Sequence, residues 1–255
     1  MTAPALSRVY TEYPPPPALR QFVECFWTRG TPLATEPAHH ILPDGCIDIV
    51  LGWTSSISGP SESLAVGTMT RPLVVGATER AAFAGVRFWP GRAYPFVGVP
   101  ASEITDLRVD VGDLWRGSAS ALDGLDVSDH AALFATLERA LLQRLHAGQP
   151  PNRAVDAAVR AILRARGNLS IAALAPALGV TRQYLARAFA LHVGVPPKTF
   201  ARIARVRRVL AEARVAETVD WVALALDAGY YDQAHLAGEV KELTGRTPTE
   251  WLGAL

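Results

Sequence analysis

The C-terminal part of the chain contains one segment twice. The first portion of each copy matches at an offset of 50 residues, through Leu174 with Leu224, Ala175 with Ala225, and Gly179 with Gly229. The later portion matches at an offset of 51, through Leu185 with Leu236, Phe189 with Val240, Gly194 with Gly245, Pro197 with Pro248, and Phe200 with Trp251. Such agreement in register is not expected of unrelated helices, so we interpret the region as one supersecondary unit used twice.

Each copy has the residue pattern of a helix-turn-helix unit. An apolar first helix is followed by a glycine, then by a polar capping residue, Thr181 or Asp232, and then by a second helix with a narrow apolar seam. The same reasoning about caps and apolar spacing predicts seven helices beyond residue 151. We therefore expect residues 151–255 to form an all-α domain with two helix-turn-helix units.

The outer face of each second helix carries the candidate DNA-binding residues. They are Arg182, Gln183 and Arg187 in the first unit and Gln233, His235 and Lys241 in the second. Arginine and glutamine offer paired donors and acceptors that match the edges of guanine and adenine in the major groove. The alternative is an ordinary solvated helix face, and Lys241 also suits the carboxyl end of a helix dipole.

The segment between the two units is predicted to be one long helix from Lys198 to Arg214. Seventeen residues span about 25 Å of helix, so the two second helices can lie roughly 34 Å apart, which is one turn of B-DNA. One chain would then read two successive major grooves. Arg202, Arg205, Arg207 and Arg208 on this helix are candidates for phosphate contacts.

The first 150 residues have a different texture. Short apolar runs rich in β-branched residues, punctuated by glycine and proline, occupy residues 41–89 and predict an antiparallel sheet or small barrel. Apolar residues at helical spacing predict a short helix over residues 19–27 and a longer one from Asp129 to His146. The longer helix either closes this domain or pairs with its copy in a second subunit. The expected class is α+β, with domains at 1–150 and 151–255.

Charge divides the chain at the same point. Residues 153–255 carry 14 Lys and Arg against 9 Asp and Glu, whereas residues 1–152 carry 11 against 15. A basic domain beside an acidic one is the asymmetry expected when only one domain meets a polyanion. The two cysteines, Cys25 and Cys46, are interpreted as unpaired core residues. We expect a cytoplasmic protein without an export signal, membrane span, metal or cofactor.

The C-terminal region resembles the DNA-binding domain of AraC/XylS-type transcription regulators. The motifs that carry the resemblance are Thr181–Phe189, Gly194–Pro197, Ala228–Leu236 and Gly245–Pro248. The N-terminal half is similar, more loosely, to a sensor domain found ahead of this module, through Tyr13-Pro14, Phe22–Trp27, Ile41–Cys46 and Val86–Pro90. The resemblance implies a transcription factor that binds promoter DNA, works with RNA polymerase, and uses its sheet domain for a small effector or for forming a homodimer.

Two positions depart from the family pattern in the second unit. Gly238 replaces the usual arginine, and Val240 replaces the usual phenylalanine. Glycine inside a helix costs about 0.5–1 kcal/mol relative to alanine and removes a possible DNA contact. We therefore expect the first unit to hold more of the sequence specificity.

Effector binding has weaker candidates in the N-terminal half, namely Trp27, Trp53, Arg87 and Trp89. Arg87 could pair with an anionic ligand, although an aromatic core with a surface arginine explains the same residues. Two other functions remain open. One is a barrel enzyme that binds a metal or substrate and uses the helical part for assembly, but the sequence has no catalytic motif that supports it. The other is a DNA-binding regulator whose N-terminal domain only dimerises or docks partners.

Overall fold

The computed structural model describes residues 10–30, 39–54, 60–75, 80–115, 122, 124–147 and 151–253. Residues 1–9, on which the expectation about an export signal rests, and residues 148–150, at the predicted domain boundary, lie outside the described residues. Within the described ranges, no helix combines the length and the apolar character needed to cross a bilayer.

The N-terminal part is built on an antiparallel sheet, which confirms the predicted α+β class. Six strands lie in the order β1-β2-β7-β4-β5-β8, and β3 pairs with β6 separately. The strands are β1 (Thr11–Tyr13), β2 (Val23–Gly30), β3 (His39–Ile41), β4 (Ile47–Thr54), β5 (Glu62–Val66), β6 (Leu73–Val75), β7 (Arg80–Phe88) and β8 (Arg108–Asp110). Short helical segments follow β7, namely α1 (Tyr94–Val97), a 3-10 turn (Ala101–Glu103) and α2 (Val111–Trp115).

One face of the sheet carries the core of this domain. Phe26, Val86 and Ile49 lie side by side on β2, β7 and β4, and each is fully buried. Helix α3 (His130–Ala147) adds its buried leucines, including Leu133 and Leu137, to the same core. Because this apolar stripe is covered within the chain, α3 closes the domain, as one of the two sequence-based alternatives proposed.

The segment from residue 19 to 27 is not the short helix that its spacing predicts. Residues 17–22 form turns, and the chain then enters β2. Cys25, Phe26 and Trp27 are all buried although they alternate between the two faces of the strand. A strand that is buried on both faces does not alternate between apolar and polar residues. Its apolar residues can therefore fall by chance at the three- and four-residue spacing of a helix.

The C-terminal part, over the described residues 151–253, holds seven helices, as predicted. They are α4 (Arg153–Arg164), α5 (Ile171–Ala177), α6 (Arg182–His192), α7 (Pro197–Val215), α8 (Trp221–Asp227), α9 (Gln233–Thr244) and α10 (Pro248–Leu252). Helix α8 starts after Asp220, whose carboxylate accepts hydrogen bonds from the backbone N–H groups of Val222 and Ala223.

The duplication is visible in the backbone. Gly179 and Gly229 both have positive φ, at 69° and 81°, in the turns before the second helices. Gly194 and Gly245, with φ of 91° and 74°, occupy the corresponding positions after those helices. Only glycine adopts these angles without a steric cost, so the repeat preserves the residue wherever the chain makes this turn.

Helix α7 belongs to both units. Phe200 and Ala201, near its start, are buried in the core formed by α4, α5 and α6. Ile203, Val206 and Leu210, further along, are buried in the core formed with α8 and α9. The linking helix therefore sets the orientation of one unit relative to the other.

Candidate nucleic-acid interface

The second helix of each unit has one buried seam and one open face. In α6, Leu185 and Phe189 are buried, whereas Arg182, Gln183 and Arg187 are exposed. In α9, the buried residues include Leu236 and Val240, whereas the exposed ones include Gln233, His235 and Lys241. All six sequence-predicted DNA-binding residues thus lie on the outer faces of α6 and α9, three on each helix.

Both helices begin with a side-chain cap. The hydroxyl of Thr181 accepts a hydrogen bond of 3.1 Å from the backbone N–H of Tyr184. The carboxylate of Asp232 accepts one of 2.7 Å from the backbone N–H of His235. A cap of this kind contributes about 1 kcal/mol and fixes the residue at which the helix starts. Gln183 and Gln233 consequently sit within the first turn of their helices.

The cations of the open faces differ from those of α7. Within the described part of the chain, no carboxylate lies within 4.0 Å of Arg182, Arg187 or Lys241, so these three charges are available to an external anion. Arg202, Arg205, Arg207 and Arg208 of α7 instead have partners inside the protein.

The partners of the α7 arginines are distributed over three elements. Arg202 and Arg205 bind Glu239 on α9, and Arg208 binds Glu212 and Asp227. Arg207 lies 3.9 Å from the carboxylate of Asp44 in the N-terminal domain. These side chains hold the helices together, so their sequence-based interpretation as phosphate contacts is not the role that the geometry favours.

Glu239 is the residue of this region that sequence reasoning missed. Its carboxylate is almost buried and accepts hydrogen bonds from Arg202 Nε at 2.9 Å, Arg205 Nη2 at 3.1 Å and the Tyr230 hydroxyl at 2.9 Å. Burial favours a raised pKa, but the Arg205 charge and these hydrogen bonds outweigh it and lower the pKa of Glu239 below its usual value. The available signal was an acid inside α9 where the first copy has Ala188.

Gly238 lies on the open face of α9. A methyl group built at this position would meet no atom within 4 Å. The glycine is therefore not required by packing, and it leaves a gap in the face where a longer side chain could reach DNA.

The end of α6 rests on the N-terminal domain. Thr68 Oγ1 donates a hydrogen bond of 2.5 Å to the carbonyl of Val193, and Thr105 Oγ1 donates one of 2.9 Å to the carbonyl of Gly194. On the neighbouring helix α4, Asp156 pairs with Arg92 at 2.7 Å. The first helix-turn-helix unit is thus anchored to the sheet domain by hydrogen bonds immediately beyond α6 and by an ion pair on α4.

The four candidate effector residues do not meet in one pocket. Trp27 and Arg87 share a face of the sheet, where Trp27 Nε1 donates to Asp48 at 3.0 Å and Arg87 Nε lies 3.3 Å from the same carboxylate. Trp53 points from β4 into the core on the opposite face, and Trp89 is half-exposed beyond the end of β7. Burial raises the pKa of Asp48 to about 7, although Arg87 opposes this shift.

A groove of about 440 Å³ runs between α7 and the end of α4 and reaches the N-terminal domain at Asp44. Asp44 contributes from the N-terminal domain, and the α7 side includes Phe200, Arg207 and Arg208. None of the four tryptophan and arginine candidates lines this groove. The lining residues include both apolar and arginine side chains. Among them, Arg207 and Asp44 form an ion pair across the domain boundary.

Comparisons with known proteins separate the two parts of the chain. Residues 174–254 match a family model described as a helix-turn-helix domain, and residues 11–110 match one described as a domain of unknown function, DUF6597. No protein with a curated description matches the chain significantly.

Solved structures of ToxT from Vibrio cholerae are similar over 90% of this chain. A structure at 1.65 Å resolution has 12% identity and a TM-score of 0.48, with 98% of its chain covered. ToxT bound to (E)-4-(8-methylnaphthalen-1-yl)but-3-enoic acid has 11% identity, a TM-score of 0.47 and 98% coverage. ToxT bound to an unsaturated fatty acid has 10% identity, a TM-score of 0.45 and 95% coverage.

Proposed function

We propose that the chain is an AraC-type DNA-binding regulator that reads two successive major grooves of promoter DNA, and the match of residues 174–254 to a helix-turn-helix family supports this proposal. Helix α6 enters one groove and α9 enters the next. The observation that carries the proposal is the pair of capped helices with open faces, joined by one rigid helix.

The length of α7 suits this arrangement. Its 19 residues span about 28 Å; the first unit packs on it at Phe200 and Ala201, and the second packs on it between Ile203 and Leu210. Adding part of the width of a helix-turn-helix unit brings the separation to roughly the 34 Å between successive major grooves on one side of B-DNA. Because α7 is packed in both cores, the spacing is set by the fold and not by a flexible linker.

The two units divide the work unequally. Arg182, Gln183 and Arg187 give α6 two unpaired cations and an amide for base edges. In α9, the reading face has Gln233 and His235, while Gly238 contributes no side chain. We therefore assign most of the sequence discrimination to α6 and a larger share of backbone contact to α9, including Lys241.

A paired substitution tests this division. Arg187→Ala is expected to cost about 1–3 kcal/mol of binding free energy and to relax the preference at one base pair, because a bidentate base contact is lost. His235→Ala is expected to weaken binding more uniformly across base substitutions. Fluorescence anisotropy over a series of single-base variants measures both. Equal and uniform losses for the two variants would contradict the assignment.

Salt dependence tests DNA binding itself. Each phosphate neutralised contributes about −0.9 to the slope of log K against log salt, so three or more phosphate contacts give a slope steeper than about −2.7. The measurement is anisotropy of a labelled duplex between 50 and 200 mM salt. A flat response would count against recognition of a polyanion.

Effector control is proposed to act at the boundary between the domains. The contacts of Thr68, Thr105 and Arg92 with the first unit provide a route from the sheet domain to α6. A small ligand near Trp27 and Arg87 would act on Asp44, because Arg87 Nε lies 3.7 Å from that carboxylate. Trp53 and Trp89 are retained only as remote candidates.

Effector binding can be measured separately from dimerisation and from partner docking. Thermal-shift screening of the purified chain against a metabolite panel, repeated with Arg87→Ala, detects a ligand at the first site. A ligand that stabilises both proteins equally would place the effector elsewhere. If no ligand binds, a homodimer or a polymerase contact through the N-terminal domain remains the proposed role, and light scattering measures the former.

A further inference from the structure

A buried polar cluster joins the linking helix to the second reading helix. Glu239 of α9 is its centre, and its donors are Arg202 and Arg205 of α7 and the hydroxyl of Tyr230. The carboxylate receives four hydrogen bonds of 2.9–3.1 Å, and its side chain is only 10% exposed. Hydrogen bonds to an ionised group are about twice as strong as neutral ones, and two of these donors are charged.

The cluster continues to the reading face of α9. The guanidinium of Arg205 lies 4.3 Å above the ring of Tyr230, and the ring of His235 packs edge-on against the same tyrosine at 5.2 Å. Tyr230 stands in the turn before α9. The contacts therefore run without a break from the linking helix, through the turn, to a residue that faces outward.

The first unit has no counterpart of this cluster. Ala188 occupies the position of Glu239 in the repeat, and Val180 occupies that of Tyr230. Helix α6 is held instead by its apolar seam and by the anchoring of its end to the N-terminal domain. The duplicated units thus fix their reading helices by different means, and the ionic one is specific to the second.

We propose that Glu239 is a positioning residue for DNA recognition, which fixes the rotation of α9 on α7 so that Gln233 and His235 reach their groove in register with α6. The inference rests on the proposed function. A polar cluster suits this role because its hydrogen bonds are directional, whereas apolar seams tolerate small rotations. Its loss therefore affects the second half of the binding site and leaves the first half unchanged.

A matched pair of substitutions isolates the role. Glu239→Gln removes the buried charge with little change in shape. Glu242→Gln is the control, because Glu242 lies on the same helix and also binds Arg202, but its side chain is 62% exposed. Both variants raise the net charge by one, so general attraction to DNA rises equally in both and cannot explain a difference between them.

The experiment begins with the full-length chain and a duplex that it selects from random sequences. The block recognised by the second unit is the one whose protection weakens in His235→Ala. On the intact duplex, we expect Glu239→Gln to lose tenfold or more in affinity and Glu242→Gln to stay within about twofold. On a duplex with that block scrambled, we expect Glu239→Gln and Glu242→Gln to bind equally.

Three outcomes would overturn the inference. They are equal effects of the two glutamine variants, an equal loss of affinity on both duplexes, or a loss of protection over the first block. If Glu239→Gln unfolds at the assay temperature, Tyr230→Phe is measured instead, because it removes one hydroxyl and keeps the charges of Glu239 and its arginines. We expect Tyr230→Phe to lose about threefold in affinity, with the loss confined to the second block. No loss of affinity at that block refutes the inference. If the unsubstituted chain selects no duplex, the proposed function fails instead.

Discussion

Replacement of Gly194 by alanine provides a quantitative test of how the first unit is docked on the sheet domain. A Cβ atom at this position would lie 2.6 Å from Thr105 Oγ1 and 3.0 Å from the carbonyl oxygen of Ala101. Gly245 is the equivalent residue in the second unit, and the nearest atom to its Cβ would be Pro72 Cγ at 3.6 Å, an ordinary contact. The two glycines have similar positive φ values, 91° and 74°, so they differ mainly in this contact.

The expected magnitudes follow from these distances. Alanine in a left-handed conformation costs about 1–2 kcal/mol, which is the whole effect expected for Gly245→Ala. Gly194→Ala adds overlap with the N-terminal domain, at about 1–3 kcal/mol, and weakens the hydrogen bond from Thr105, at about 1 kcal/mol. We therefore expect Gly194→Ala to reduce the free energy of unfolding by about 2–4 kcal/mol more than Gly245→Ala does.

Urea denaturation followed by circular dichroism and tryptophan fluorescence measures both variants. Adding Thr105→Ala removes the nearer overlapping atom, so it should recover part of the loss in Gly194→Ala although it is destabilising on its own. Equal losses for the two glycine variants, or strict additivity with Thr105→Ala, would refute the described docking of α6 on the sheet domain.

Three further predictions concern stability. Gly238→Ala should raise the free energy of unfolding by about 0.5–1 kcal/mol, because a Cβ there meets open space within a helix; a lower melting temperature would contradict this. Burial lowers the pKa of His192, whose ring packs against Tyr94, so below about pH 6.5 the unfolded chain binds a proton that the folded chain does not. The free energy of unfolding should therefore fall as the pH drops, by up to about 1.4 kcal/mol per pH unit. In urea titrations, His192→Phe should reduce this loss of stability at low pH. Arg92→Ala leaves the buried Asp156 carboxylate without its partner and should cost about 1–3 kcal/mol, with a much smaller loss when Asp156→Asn is also present.

The features that could be predicted from the sequence are those fixed by local chemistry. The caps Thr181 and Asp232, and the glycines after each unit, depend on a few neighbouring residues, and they place α6 and α9 correctly. The repeat multiplies this signal, because two copies constrain the same turn. The exposed faces follow once the apolar seam of each helix is known.

The missed features depend on residues that are distant in sequence. Glu239 meets Arg205 across 34 residues, and Thr105 meets Gly194 across 89. Neither pairing has a periodic signature. The same limit explains why the effector candidates do not share one pocket. Strand register places Trp53 on one face of the sheet and Trp27 with Arg87 on the other, and the spacing of residues along one strand does not reveal that register.

Selection of bound duplexes from random DNA by the full-length chain measures how many blocks it recognises and how far apart they lie. We expect two short preferred blocks per chain, about one helical turn apart on the same side of the duplex, with Arg187→Ala relaxing the base preference within one of them. A single block, or two blocks whose spacing varies freely among the selected sequences, would contradict a pair of reading helices held at a fixed separation by α7.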